Sequence, residues 1–348
     1  MSVRAMVLEQ FGQPLVPMDR PQPVPGPAEV LVRVLACGLC RTDLKIIGGQ
    51  MPFSKTQALP HVPGHEVAGE VMALGPGTSL AVGQRVVVYN YWGCGRCPPC
   101  LSGEENLCDA LRGWVGFTTP GGLQEYLVVP QDYLVPLPPN VSAVQGAAMS
   151  CALGTGYRAV VTRGGVRAGE TVAILGAGGV GLHALQFARA AGARAVAVDL
   201  GQAQLATARK LAADLTARPE DAAARILELT AGRGADLVVD CVGTGGSTAH
   251  AMSLARKGGR VVQVGYTTDA AHYPPLPTDH VVLREVSVIG SRYLTRPELV
   301  RAVDLVARGL VHPVISEVLE LAEVNAALER VRADRAVGRI VLRVAAST

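Results

Sequence analysis

The sequence predicts an α/β protein in two parts, a doubly wound parallel-sheet domain joined to a β-rich domain of antiparallel strands. Three observations carry this. Through the first 150 residues, short apolar runs alternate with breaks rich in Pro and Gly. From Thr171 onward, apolar strands alternate with helix-length segments rich in Ala, Leu and Arg. At one strand-to-helix junction stands Gly176-Ala177-Gly178-Gly179-Val180-Gly181, a G-x-G-x-x-G turn. A chain of 348 residues is also too long for one compact core.

In chain order, Ala28–Val34, Val67–Leu74, Arg85–Tyr89 and Leu123–Val129 read as antiparallel strands. The turn sequences Gly75-Pro76-Gly77 and Pro138-Pro139-Asn140 punctuate them. Val172–Leu175, Ala195–Val198, Leu237–Val239, Arg260–Val264 and Val286–Gly290 then read as strands of a parallel sheet, because strand–helix alternation implies right-handed crossovers. Thr295 and Glu298 form a capping-box signature for a helix that Gly309 is suited to end. The last strand, Arg339–Val344, has no partner close in sequence and is expected to return to the N-terminal β domain. The expected division is 1–150, with a cysteine lobe at about 90–110, then 151–289, then 290–348 returning to the first domain.

Composition narrows the function. Net charge is +3 and no basic run stands out, which argues against nucleic acid and acidic membrane surfaces as partners. The most apolar stretch, Thr171 to Val198, is broken by glycines, His183, Gln186, Arg189 and Arg194, so it is not a membrane span. Met1 to Leu8 shows no signal-peptide pattern. A cytoplasmic, reducing setting is expected.

Four of the eight cysteines, Cys94, Cys97, Cys100 and Cys108, stand as C-x2-C-x2-C-x7-C. Paired disulfides would need an oxidising compartment. An iron–sulfur cluster is the sharper rival, since Cys94, Cys97 and Cys100 share a bacterial ferredoxin spacing. That pattern, however, places its next cysteine after three residues and before a proline. Four thiolates around a structural zinc explain the lobe best, and such a closed site leaves no position for chemistry.

The G-x-G-x-x-G turn gains force from its context, a strand before and a helix after. Gly176 suits the tight turn, Gly178 lets backbone approach a pyrophosphate, and Gly181 lets helix pack on strand, the Rossmann dinucleotide arrangement. Gly179 and Val180 open the helix whose N-terminus attracts the diphosphate. Asp199 ends the second strand, eighteen residues past Gly181, where a carboxylate accepts ribose hydroxyls and repels a 2′-phosphate. Leu200, Gly201 and Gln202 offer no cation to hold such a phosphate, so NAD(H) is expected over NADP(H).

Gly38-Leu39-Cys40-Arg41-Thr42-Asp43, Gly64-His65-Glu66 and Ser150-Cys151-Ala152-Leu153-Gly154-Thr155-Gly156-Tyr157 resemble signatures of the zinc-dependent medium-chain alcohol dehydrogenases. They occur in that family's order, with the cysteine lobe and nucleotide turn in register and Gly338-Arg339-Ile340-Val341 at the end, so the resemblance spans the chain. It implies that the β-rich part is a GroES-like catalytic domain. It implies that Cys40, His65 and Cys151 bind a catalytic zinc, giving two zinc ions per chain, with Glu66 as an occasional or outer ligand. Asp43 would orient His65, and Thr42 would bond the alcohol oxygen and pass on its proton. Arg41 and Arg339 would grip the cofactor diphosphate. The implied reaction is reversible hydride transfer between an alcohol, or its aldehyde or ketone, and NAD(H). A polyol or specialised hydroxy-compound dehydrogenase, a carbonyl reductase, or a non-catalytic nucleotide-binding relative are the alternatives. A homodimer or homotetramer joined through Val286–Gly290 is also implied.

One residue departs from the family: Lys45 stands five positions beyond Cys40, where many members carry the histidine that ends the proton relay. It is read as a surface residue. Cys37 and Cys241 lie in apolar runs and read as buried structural cysteines. Tyr91, Trp92 and Trp114 flank the cysteine lobe and would either wall the substrate site or cover the lobe.

Overall fold

A computed structural model describes residues 2–51, 58–244, 246–269, 273 and 276–345. The chain divides into two compact units. The first comprises Met1–Cys151, Thr295–Arg308 and Ile315–Thr348, the second Ala152–Leu294 and Gly309–Val314.

The first unit is organised by one long strand, Glu29–Leu39. Its register shifts twice against Glu66–Leu74, and along its length it takes two successive partners, Tyr126–Pro130 against residues 29–33 and Arg339–Arg343 against residues 36–39. Glu66–Leu74, Arg85–Val88 and Leu134–Pro136 extend the sheet on its other side, all antiparallel. The last strand does return to this sheet, but it also has a near neighbour that the sequence did not disclose. Ile315–Glu320 pairs with it in parallel. That segment alternates half-buried and exposed residues at the sheet edge, with Ser316, Val318 and Glu320 on its exposed side, so it lacks the apolar run that marks an interior strand. Also without a long apolar run are Val16–Pro21, which pairs with Ser2–Val7, and the two-residue strands Tyr91–Trp92 and Gly113–Trp114, which pair beside the cysteine lobe.

The second unit is a six-stranded, all-parallel sheet. Numbered as the chain meets them, Thr171–Leu175, Arg194–Val198, Leu215–Ala217, Ala235–Asp240, Ala255–Gln263 and Ser287–Gly290 lie in the order 3-2-1-4-5-6. That is the doubly wound dinucleotide-binding topology, whose strand order reverses beside the first strand. Thr171–Leu175 and Ala235–Asp240 are buried at every position, as helices covering both faces of a parallel sheet require. The core here joins Val196, Val198, Ile226, Val238, Met252 and Val261.

Local signals in the sequence explain the helix boundaries. Glu298 accepts the Thr295 N–H at 2.6 Å and starts the helix Arg296–Ala307. Gly309 follows its end in a left-handed conformation, φ 70°, where a side chain would be strained. Among the described residues no helix is long and apolar enough to cross a membrane.

Candidate metal centres and nucleotide turn

In the first unit, ligand atoms of Cys40, His65, Glu66 and Cys151 all lie within 4.8 Å of one another. Local folding explains how three distant segments meet. Cys40 is the N-cap of the helix Arg41–Ile47, in extended conformation, and its sulfur faces the Thr42 N–H and the Thr42 hydroxyl at 3.5 Å. Asp43, three residues on, accepts the Cys40 N–H through Oδ2 at 2.8 Å, so C-R-T-D is a capping box with a thiol in the place of a hydroxyl. The other oxygen of Asp43 lies 3.0 Å from His65 Nδ1 and fixes that ring. Glu66 opens the strand that runs beside Glu29–Leu39, with Gly38 opposite it and His65 just before its start. A Cβ on Gly38 would lie 2.4 Å from Glu66 Oε2, so only glycine there leaves room for the carboxylate. Cys151 sits in a widened, π-helical stretch, Met149–Leu153, a helix defect frequent at functional sites.

Arg339 completes the cluster from the returning strand. Its Nε is 3.0 Å from Glu66 Oε1 and its Nη2 3.5 Å from Cys40 Sγ. Arg41 is exposed and pairs with Asp334. The hydrogen bond from Cys151 drives the Cys40 thiol well below its usual range against the opposing effect of burial, with Arg339 and His65 adding to the pull. Burial raises the Glu66 carboxyl, and Arg339 partly opposes it. Two cysteine sulfurs, an imidazole and a carboxylate in a buried pocket are the donors that zinc selects.

In the second cluster, the sulfurs of Cys94, Cys97, Cys100 and Cys108 likewise all lie within 4.8 Å of one another. All eight cysteines are free of disulfides, and Cys97 and Cys108 Sγ stand 3.7 Å apart. Two sulfurs at ~2.3 Å from a tetrahedral zinc are separated by about 3.8 Å. Backbone amides already point at the sulfurs: Cys94 N–H to Cys108 at 3.2 Å, Cys97 N–H to Cys94 at 3.3 Å, and Ala110 N–H to Cys108 at 3.4 Å. Amides of Arg96 and Cys97 pull the Cys94 thiol down to about 6.

The aromatic residues divide between the two centres. Trp114 stacks on Phe117 at 3.7 Å between centroids, Phe117 lies 5.0 Å from the His65 ring, and Tyr91 backs Trp114 at 4.6 Å. Phe117 and Trp114 join Ile46 and Met51 in a small apolar cluster. Trp92 instead stacks on Tyr133 at 6.2 Å, and the Tyr133 hydroxyl donates to Gly93 O within the lobe. Phe117 was not singled out in the sequence; an isolated Phe in Val-Gly-Phe-Thr carries no spacing that would mark it. Lys45 is half-buried, its ammonium pKa lowered by burial, so it is less of a surface residue than its sequence context suggests. Burial pushes the Cys37 and Cys241 thiols up, Cys37 being fully inaccessible and Cys241 partly exposed.

In the second unit the turn after Thr171–Leu175 has the shape a diphosphate needs. Gly176 adopts φ 87°, a Cβ on Gly181 would lie 1.8 Å from Gly176 O, and around Gly178 nothing stands within 4 Å of where a Cβ would be. The first two features close the turn and the third leaves it open to a ligand. Val180 caps the helix Gly181–Ala190. His183 braces the turn from that helix: its Nε2 accepts the Val314 N–H at 2.8 Å, which leaves the proton on Nδ1 to donate to Gly179 O at 2.6 Å. Asp199 accepts the Ala177 N–H through one oxygen and the Gly201 N–H through the other, each at 2.7 Å.

Comparison with known proteins agrees with this class of fold and site. Residues 26–139 match the family model of an alcohol dehydrogenase GroES-like domain, and residues 179–308 that of a zinc-binding dehydrogenase. An alcohol dehydrogenase of Geobacillus stearothermophilus is 39% identical over 98% of this chain and 100% of its own. An NAD-dependent alcohol dehydrogenase of Sulfurisphaera tokodaii is 33% identical over 98% and 99%. A crystal structure of an NAD-dependent alcohol dehydrogenase superposes with a TM-score of 0.90 at 34% identity, covering 98% of this chain and 100% of that one. The chain belongs to the zinc-dependent medium-chain alcohol dehydrogenase family.

Proposed function

We propose that this chain catalyses reversible hydride transfer between an alcohol, or its aldehyde or ketone, and NAD(H), with one catalytic and one structural zinc per chain. The convergence of Cys40, His65, Glu66 and Cys151, with Asp43 bonded to His65, carries the reading. A non-catalytic relative would have no use for a complete donor set. When bound, zinc acts as a Lewis acid toward the substrate oxygen, and the nicotinamide carries the hydride.

The residues have distinct tasks in this reading. Asp43 holds the His65 ring in the tautomer that leaves Nε2 as a donor atom. Arg339 balances the charge of Glu66 and Cys40. Thr42, with its hydroxyl beside Cys40, bonds the substrate hydroxyl and relays its proton onward, releasing its own as it accepts the substrate's. Phe117 and Trp114 form an apolar wall that excludes water and favours a hydrocarbon substituent. Gly176–Gly181 receives the diphosphate and Asp199 the ribose hydroxyls. The exposed edge strand Ser287–Gly290 is suited to join two chains into a homodimer or homotetramer, in a cytoplasmic setting.

The test is metal content of the purified protein alongside NAD reduction with primary, secondary, cyclic and aromatic alcohols. About two zinc ions per chain and turnover of some of the panel are expected. One zinc with no turnover would overturn the assignment of Cys40, His65 and Cys151.

A further inference from the structure

We propose that Arg218 is a receptor for the 2′-phosphate of NADP(H), kept out of use in the native chain by Asp199. This rests on the reading of the glycine turn as a dinucleotide site. Asp199 follows the strand Arg194–Val198, and Arg218 follows the neighbouring strand Leu215–Ala217. Val198 pairs with Ala217 in parallel register, and the Asp199 N–H reaches Ala217 O at 3.2 Å. The two side chains therefore leave the same edge of the sheet from adjacent strands. Arg218 turns towards Asp199's own loop, where its Nη1 donates to Leu200 O at 3.0 Å. No cation follows Asp199 in sequence, but the fold supplies one from the next strand.

The local charges favour this use. The Arg218 side chain is 41% exposed and is held by Glu220 at 2.6 Å, an exposed pair that a better anion displaces at little cost. A phosphate monoester carries about −1.5 to −2 near neutral pH and accepts charge-assisted bonds from a guanidinium. Asp199 opposes it by repulsion and by occupying two amides, those of Ala177 and Gly201. Removing that carboxylate does more than end the repulsion. It frees both N–H groups on the nucleotide side of an arginine already in place, and two amides with a guanidinium form an anion site. Glu220 is then the remaining competitor.

The test is calorimetric binding of NADH and NADPH, which differ only in this phosphate, so the readout does not depend on turnover. The native protein is expected to bind NADH at least tenfold more tightly. Asp199→Gly should reverse the preference, and Asp199→Ser should move it in the same direction if glycine disturbs the loop. Adding Arg218→Ala to either should lower the NADPH-to-NADH affinity ratio by about tenfold or more, the size of a lost hydrogen bond to a charged group. Adding Glu220→Gln should raise that ratio. A gain of NADPH binding that survives Arg218→Ala would overturn the proposal, as would an Asp199 variant that still binds NADH yet gains nothing with NADPH. Failure of the native protein to bind either nucleotide would instead overturn the dinucleotide reading itself.

Discussion

Asp43 uses one carboxylate for two tasks, capping the helix that presents Cys40 and fixing the ring of His65. The string C-R-T-D was read only through resemblance, and the capping box now explains its spacing: a residue at the N-cap is held by the same bonds that start the helix. Cys151 was not legible from spacing, because a lone cysteine in an apolar run reads as core, and it was found only through resemblance. Cys151→Ala should abolish turnover and remove about one zinc per chain, while NADH binding, measured by fluorescence titration, persists. Loss of NADH binding with full metal content would contradict the division of roles. Trp114 supplies the outer layer of the aromatic wall on Phe117. Trp114→Ala should raise KM for bulky apolar alcohols by about tenfold, or ~1.4 kcal/mol, the scale of one lost aromatic contact, and change KM for ethanol little. Equal effects on both would remove Trp114 from the substrate wall.

Among elements, the parallel strands were read easily because burial on both faces demands an unbroken apolar run. Ile315–Glu320 escaped because an edge strand needs apolar residues on one face at most. Polar anchors at strand ends escape the same way. Asp236, at the start of Ala235–Asp240, accepts the Thr171 N–H at 2.8 Å and pairs with Arg256 at 2.6 Å. Burial raises the Asp236 carboxyl, but these two donors outweigh it and leave its pKa below the usual carboxylate range. A depressed folded pKa stabilises above the unfolded value of about 3.9 and loses that contribution as pH falls through the folded value. Asp236→Asn should therefore cost about 1–2 kcal/mol at pH 7, and thermal melts of variant and native protein should draw together as pH falls from about 4 through the folded value. A gap independent of pH would show that shape, not charge, is what Asp236 contributes. In the cysteine lobe, Cys97→Ser should lower Tm and zinc content together before it lowers kcat, since it opens a structural clamp. A loss of kcat at unchanged Tm would place the lobe in the chemistry.

At the scale of the whole molecule, the nucleotide-binding unit was the more legible half. Its turn, strand order and Asp199 follow one another along the chain, so local reading accumulates. The catalytic unit is assembled from 1–151, 295–308 and 315–348, and no window of sequence shows that Arg339 stands against Glu66. That pairing sets an order of events during synthesis. Ala152–Leu294 is one continuous stretch that can close on itself as it leaves the ribosome, whereas Leu39 must wait roughly 300 residues for Ile340. At ~5–20 residues per second, the unmatched edge of the long N-terminal strand is open for on the order of 15–60 s. Throughout that interval Glu66 is without the guanidinium that neutralises it, and the pocket for the metal has only part of its wall. The nascent chain is therefore most exposed to wrong strand pairing before Arg339–Arg343 appears, and that strand completes its first domain.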